Sequence, residues 1–180
     1  MNRLFELETA RFTLRKIEAG DLETLHSYWS DDVVTEYMNV SFKSIEETQQ
    51  MVDLLNSLPE TGEGRRWAIV DKKSGVVMGS CGYHNVKVEH RRAEVGYELG
   101  REYWGQGVIQ EVMKAVIHHC FEALELNRIE AFVTLGNNRS LNTLEKLGFK
   151  PEGVLREYDF TQGNFHDQVV LALLRSDCKT

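Results

Sequence analysis

Apolar positions along the chain recur with two periods, and these divide it into strands and helices. A strand is expected at about residues 10–17, a helix from Asp21, and a second helix from Ser44, where Ser44-x-x-Glu47 has the spacing of a capping box. Strands follow near Arg66–Asp71 and Val76–His84. The turn chemistry of Lys72-Lys73-Ser74-Gly75 between them predicts an antiparallel hairpin. Arg92–Leu99 continues the meander, and Val108, Val112, Val116, Cys120 and Leu124 mark a long helix from Gly107 to about Glu125. A strand at Arg128–Thr134 leads to a helix capped by Asn137 or Asn138. That helix carries Leu141, Leu144 and Leu147 on one face, with Gly148 as a left-handed C-cap and Pro151 beyond it. Two last strands flank Thr161-Gln162-Gly163-Asn164. The element order predicts a mixed α/β fold around a partly antiparallel sheet.

Two of the predicted helix starts carry candidate chemistry. Trp104-Gly105-Gln106-Gly107 turns a strand into the long helix, and without a Cβ at 105 and 107 successive N–H groups can point into one concavity at the helix's positive end. That arrangement suits a phosphate, and it equally suits a plain tight turn. Gln110 stands where the dinucleotide fingerprint requires glycine or alanine, and no Gly-Lys-Ser/Thr of a P-loop occurs. The second start, Asn137-Asn138-Arg139-Ser140, offers two polar side chains, Asn137 and Ser140, beyond what capping needs. Two helix starts fitted for an anion or a polar chain point to one shared cofactor.

Composition narrows the picture. A chain of 180 residues that is 42% hydrophobic, without repeats or a shift in composition, fits one domain over residues 1–180. The net charge of −7, with no basic stripe, argues against direct nucleic-acid binding; it is compatible with basic acceptors and equally with solubility alone. Charge interrupts the first residues too early for a signal peptide, and no apolar run reaches membrane-spanning length, so a cytoplasmic location is expected. Cys81, Cys120 and Cys178 are odd in number and widely spaced, which suggests reduced thiols, with the first two in the core. His118 and His119 are helical neighbours about 100° apart and cannot readily share an ion, so no metal is expected.

The order of Glu94-Val95-Gly96-Tyr97-Glu98-Leu99, Tyr103-Trp104-Gly105-Gln106-Gly107, Asn137-x-x-Ser140 and Glu145-Lys146-Leu147-Gly148-Phe149 resembles the GNAT acyltransferase superfamily. Within it, Glu8-Thr9-x-Arg11-x-x-Leu14-Arg15 with Asp21, and Glu152-Gly153 through Gly163-x-x-His166-Asp167, resemble the RimJ/RimL-like branch, which includes acetyltransferases of ribosomal-protein N-termini. The resemblance implies a largely antiparallel, twisted sheet flanked by helices, and acetyl-coenzyme A as cosubstrate. It implies a pantetheine arm paired with the backbone of Tyr97, Glu98 and Leu99 and a pyrophosphate on the turn of Gly105, Gln106, Gly107, Val108 and Ile109. Asn137 would hydrogen-bond the cofactor or serve as the cap alone. The family usually has Gln or Arg three residues before the first glycine; Glu102 stands there, so phosphate binding would rest on backbone.

Acetyl transfer to an amine requires a neutral nucleophile, a polarised thioester and a proton for the departing thiolate. A free α-amine titrates near about 8 and a lysine near about 10, so one carboxylate acting through water suffices for the former. By resemblance, Ser140 supplies the hydroxyl for the leaving group and Asp159 is the base, with Glu94 as a competing base or amine-orienting group. Glu157 is a third candidate if it shares a strand face with Asp159. Each of these has a plainer reading, as a first-turn serine or a solvated strand carboxylate. Tyr83 and Trp29 are core aromatics or line an acceptor pocket, and His166 is a hairpin residue. No His–Asp arrangement marks Ser140 as a covalent nucleophile. The readings are an N-terminal α-amine acetyltransferase acting on a protein such as a ribosomal protein; an acetyltransferase of a small amine such as an antibiotic, polyamine or amino acid; or a non-catalytic coenzyme A binding module. A homodimer through exposed sheet edges is compatible with all three.

Overall fold

Alternating apolar positions build one eight-stranded sheet in the computed structural model, which describes residues 6–39 and 41–178. The elements are β1 (Leu7–Glu8), β2 (Phe12–Arg15), α1 (Leu22–Trp29), α2 (Asp32–Thr35), α3 (Ile45–Thr61), β3 (Arg65–Asp71), β4 (Val77–Lys87), β5 (Arg92–Leu99), α4 (Val108–Glu122), β6 (Arg128–Thr134), α5 (Asn138–Lys146), β7 (Lys150–Thr161) and β8 (Asn164–Leu174). The strand order is β1-β2-β3-β4-β5-β6-β8-β7, and all neighbours are antiparallel except β5 and β6. The mixed, largely antiparallel sheet with flanking helices is the architecture the sequence implies.

Local chemistry sets most boundaries. The Ser44 hydroxyl accepts from Glu47 N at 3.3 Å to cap α3, while the Glu47 carboxylate accepts from Lys43 N at 2.6 Å, one residue before the expected box partner. Gly75 (φ 74°) closes the β3–β4 turn and Gly148 (φ 93°) follows the end of α5, both left-handed. Short α2 escapes periodicity because it is one turn long; the Asp31 carboxylate caps it by accepting from Val33 N at 2.8 Å.

The strand alternation sorts side chains to two faces. Trp67, Cys81, Tyr83, Ala93, Val95 and Ile129 are buried with Val112, Met113, Val116 and Cys120 of α4, and burial pushes both cysteine thiols up to about 12. A second cluster joins Leu25 and Trp29 of α1, Val52 of α3 and Ala68 of β3. The decisive irregularity lies at mid-sheet. β5 and β6 pair only at Arg92–Arg128, Ala93–Ile129 and Glu94–Glu130, while β4 stays paired with β5 as far as Leu99. From Val95 onward β5 therefore has one paired edge and one open edge. Beyond β6, β7 and β8 form a long hairpin with exposed Tyr158, Phe160 and Phe165.

Candidate functional site

The parting of β5 from β6 opens a cleft of about 550 Å³. Of the residues singled out from the sequence, Tyr97, Glu98, Leu99, Gly105, Gly107, Val108, Ile109, Asn137 and Ser140 line it, although they come from one strand and two separate helix starts. Gln106, Glu94 and Asp159 are not among its lining residues.

One end of the cleft is the start of α4. Gly105 (φ 75°) and Gly107 (φ 72°) are both left-handed, and Gly107 is an N-cap without any side-chain cap. The first helical bond formed back to the cap is Glu111 N to Gly107 O at 3.2 Å, so the N–H groups of the first turn point free of the helix. Uncapped donors, absent Cβ atoms and the helix dipole together suit an anionic phosphate. Gln106 is turned outward: its carbonyl accepts from Arg11 Nη1 at 3.2 Å and its side chain donates to Glu102 O at 2.8 Å. Glu102 is exposed in the single helical turn Arg101–Tyr103 and adds no cation. Positive charge comes instead from Arg139 and Lys146, which line the cleft; the Arg139 guanidinium lies 3.4 Å from the centroid of the Trp104 ring. The Trp104 indole in turn donates to Leu99 O at 3.1 Å. Sequence reading missed Arg139 because only the fold brings α5 over Trp104.

Along the cleft, α5 is closed by its own cap. Asn137 Oδ1 accepts from Ser140 N at 3.2 Å, and Asn137 Nδ2 has no partner among the described residues. The amide thus satisfies the helix and still has donors to give. Ser140 Oγ lies 2.9 Å from Tyr97 Oη. Burial pushes the Tyr97 phenol up to about 12, against the opposing effect of its bond to Ser140, so it is a neutral hydroxyl at physiological pH. The sequence placed Tyr97 here through its backbone alone; strand alternation also turns its side chain toward α5.

Even-numbered β5 residues face the other way. The Glu98 side chain is buried and accepts from Trp29 Nε1 at 3.1 Å, from Ser80 Oγ and from Arg66 Nη2. Trp29 and Tyr83 are both buried in the core; Tyr83 packs against Trp67 and His119. Glu94 lies 3.4 Å from His84 Nε2. Burial works to raise the Glu94 carboxyl, but bonds from His84 and Asn85 and the charges of His84 and Arg92 outweigh it and hold the carboxyl below the usual range. Asp159, half-buried and opposite His166 in the β7–β8 hairpin, accepts from Gln168 Nε2 at 2.8 Å and Asn39 Nδ2 at 3.3 Å. Gln168 also reaches Thr134 Oγ1 of β6 at 3.0 Å, which ties Asp159 to the strand bordering the cleft. The spacing argument for Glu157 fails: the register shifts between Leu155 and Asp159, and Glu157 is left-handed (φ 51°), so two-residue alternation is broken there. His166 is a hairpin residue, with Nε2 3.3 Å from Thr161 O.

Known proteins resemble this chain in sequence and fold. The acetyltransferase (GNAT) domain family matches residues 11–150. The uncharacterized N-acetyltransferase p20 of Bacillus licheniformis is 40% identical over 172 residues, covering 95% of this chain and 97% of that protein. The [ribosomal protein uS5]-alanine N-acetyltransferase of Escherichia coli is 26% identical over 130 residues, 72% of this chain and 67% of that one. The crystal structure of spermidine N-acetyltransferase from Vibrio cholerae in complex with CoA and spermine superimposes with a TM-score of 0.81 at 25% identity, over 93% of this chain and 98% of that chain. With a family match over most of its length and an N-acetyltransferase relative aligned nearly end to end, this chain belongs to the GNAT acetyltransferase family and is an N-acetyltransferase.

Proposed function

We propose that this enzyme transfers acetyl directly from acetyl-coenzyme A to the α-amine of a protein N-terminus, such as that of a ribosomal protein. One observation carries the reading: the parted β5 and β6 form a cleft with an uncapped helix start at one end and a Tyr97–Ser140 hydroxyl pair along it. The likeness to the ribosomal-protein enzyme of Escherichia coli supports the acceptor class.

When bound, acetyl-coenzyme A supplies an acyl group held as a reactive thioester. The backbone of Tyr97, Glu98 and Leu99 holds the pantetheine arm as an added strand, and Gly105, Gly107, Val108 and Ile109 of the α4 turn hold the pyrophosphate. Asn137 Nδ2 donates to an amide carbonyl of the arm while Oδ1 keeps its helix cap. Asp159 takes the proton of the incoming ammonium through a water, a modest task for an α-amine with a pKa near about 8. Glu94 orients that ammonium from the same sheet face. Ser140 Oγ gives its proton to the departing sulfur while Tyr97 Oη donates a hydrogen bond to it, and Ser140 takes up the second proton that the attacked nitrogen loses as the amide forms. Ser140 acts through its proton, since its side-chain partner among the described residues is a phenol and not an imidazole. The reading places the enzyme in the cytoplasm, as a homodimer joined through the exposed aromatic ribbon of β7–β8. Loss of the dimer in Phe160→Ser, measured by sedimentation, checks that last element.

A second reading, acetylation of a polyamine, is favoured by the two carboxylates Glu94 and Asp159 and by the likeness to the spermidine enzyme. The two part in one assay of thiol release from acetyl-coenzyme A, using peptides with free N-termini, N-blocked lysine peptides, polyamines and aminoglycosides. Selective turnover of the free N-terminal peptides is expected. Turnover of polyamines alone would overturn the protein acceptor.

A further inference from the structure

One long side chain of β3 reaches across the acceptor face of the sheet to a glycine of β5. Arg66 is opposite Gly82, and Gly82 is opposite Gly96. A Cβ on Gly82 would run into β3 backbone, at Arg65 O and 2.9 Å from Arg66 Cα, whereas one on Gly96 would meet the side chain itself, 3.1 Å from Arg66 Nη1 and 3.7 Å from His84 Cε1. The guanidinium thus lies over β5 just past Glu94, where β5 leaves β6. It is held firmly there. Nε donates to Ser80 Oγ at 2.7 Å and Nη2 pairs with Glu98, itself fixed by Trp29. Nη1 has no partner among the described residues, and none of their fully buried side-chain nitrogens lacks one, so Nη1 keeps some exposure; Arg66 is not itself among the cleft-lining residues and reaches the cleft over Gly96, which is.

We propose that Arg66 determines acceptor specificity: Nη1 donates to the carbonyl or carboxylate oxygen beside the reacting amine. The acceptor class is then an α-amino carbonyl compound, as at a peptide N-terminus. The inference rests on the function proposed above, and its position follows from the cleft. Gly96 is the cleft-lining β5 residue nearest the closed end of the gap. A chain anchored at Gly107 and running back along Leu99 and Tyr97 brings its reacting end to Gly96, beside Nη1. In an α-amino carbonyl compound the oxygen lies three bonds from the nitrogen, close enough for a donor at the point of attack to engage it. A protonated polyamine has no acceptor atom for a guanidinium and meets like charge. Pairing with Glu98 offsets the charge of Arg66 toward the ammonium itself while leaving the directional donor intact.

The test compares two acceptors, a short free-N-terminal peptide amide and the same amine with its first carbonyl reduced to methylene, with kcat/KM referred to the unprotonated amine of each because losing the carbonyl also raises the amine pKa. Both are measured with the native enzyme, with Arg66→Lys, and with the double variant Arg66→Gln/Glu98→Gln, which leaves no buried carboxylate unpaired. The native enzyme is expected to favour the carbonyl acceptor by at least about tenfold in kcat/KM. The double variant should lose that preference through a raised acceptor KM; Arg66→Lys, which leaves Glu98 in place, should weaken it in the same way with the KM for acetyl-coenzyme A unchanged, and it carries the test alone if the double variant does not fold. A preference that persists in the variants, or an equal loss with both acceptors, would overturn the role of Arg66 while leaving peptide acetylation standing. Turnover of polyamines but of no peptide would remove the acceptor reading itself.

Discussion

The helices α4 and α5 begin beside the same cleft, and they finish their backbones differently. α4 starts at left-handed Gly107 with no side-chain cap, so its first N–H groups remain open. α5 starts at Asn137, whose Oδ1 accepts from Ser140 N at 3.2 Å, and what it presents to the cleft is a hydroxyl and a spare amide. A helix start serves as an anion site only where the chain declines to cap itself, while a self-capped start is rigid enough to aim a side chain.

Substitutions can break this contrast from either side. The largest effect is expected from Ser140→Ala, with kcat down on the order of a hundredfold because the leaving sulfur loses its proton donor. The KM for acetyl-coenzyme A should hold, since Asn137 makes the cap; a shift in KM alone would return Ser140 to a structural role. Next is Gly107→Ala, where a left-handed Cβ costs about 1–2 kcal/mol and the KM for acetyl-coenzyme A should rise roughly tenfold with kcat little changed. Asn137 allows the two uses of one amide to be separated. Asn137→Ala should cost about 1 kcal/mol in a denaturation experiment. Asn137→Asp keeps an oxygen for the cap and should leave stability near native, while the KM for acetyl-coenzyme A rises a few-fold for want of Nδ2. If both variants have native KM, Asn137 is a cap and nothing more.

The smallest effect concerns how α4 is tethered. Burial works to raise the Glu111 carboxyl, but bonds from the Thr9 hydroxyl and from the Arg11 backbone and guanidinium outweigh it and hold it below the usual carboxylate range. Because the folded-state value is the lower one, the tether's contribution to stability is full above the ordinary carboxylate range and is lost as pH falls through the lowered value. Native protein should therefore lose more melting temperature in acid than Glu111→Gln does, and the two curves should draw together at the lowest pH.

Legibility in the sequence varied with distance along the chain. Arg92–Leu99 and Arg128–Thr134 occur as strands at the boundaries read from alternation, and Gly148 follows α5 in the conformation expected of it. Each depends on residues a few positions away. Glu157 shows where that logic ends, because one irregularity interrupts the alternation a two-residue spacing assumes. Glu98 shows another limit. It was expected in the site through its backbone, yet its carboxylate is buried on the opposite face with Arg66, Ser80 and Trp29. Arg139 and Arg66 carry no local signal at all, since their surroundings come from other elements.

By itself, then, the sequence determined most of the elements, the mixed sheet, the two helix starts and the family resemblance, because turn glycines, caps and apolar periodicity act over one or two turns of chain. Only the tertiary structure decided where β5 leaves β6 and that Tyr97 meets a serine 43 residues away. It also decided that Asp159 is held by Gln168 and Asn39. These depend on which strands run side by side and for how far. Packing across the whole sheet sets that, and no short stretch of sequence contains it.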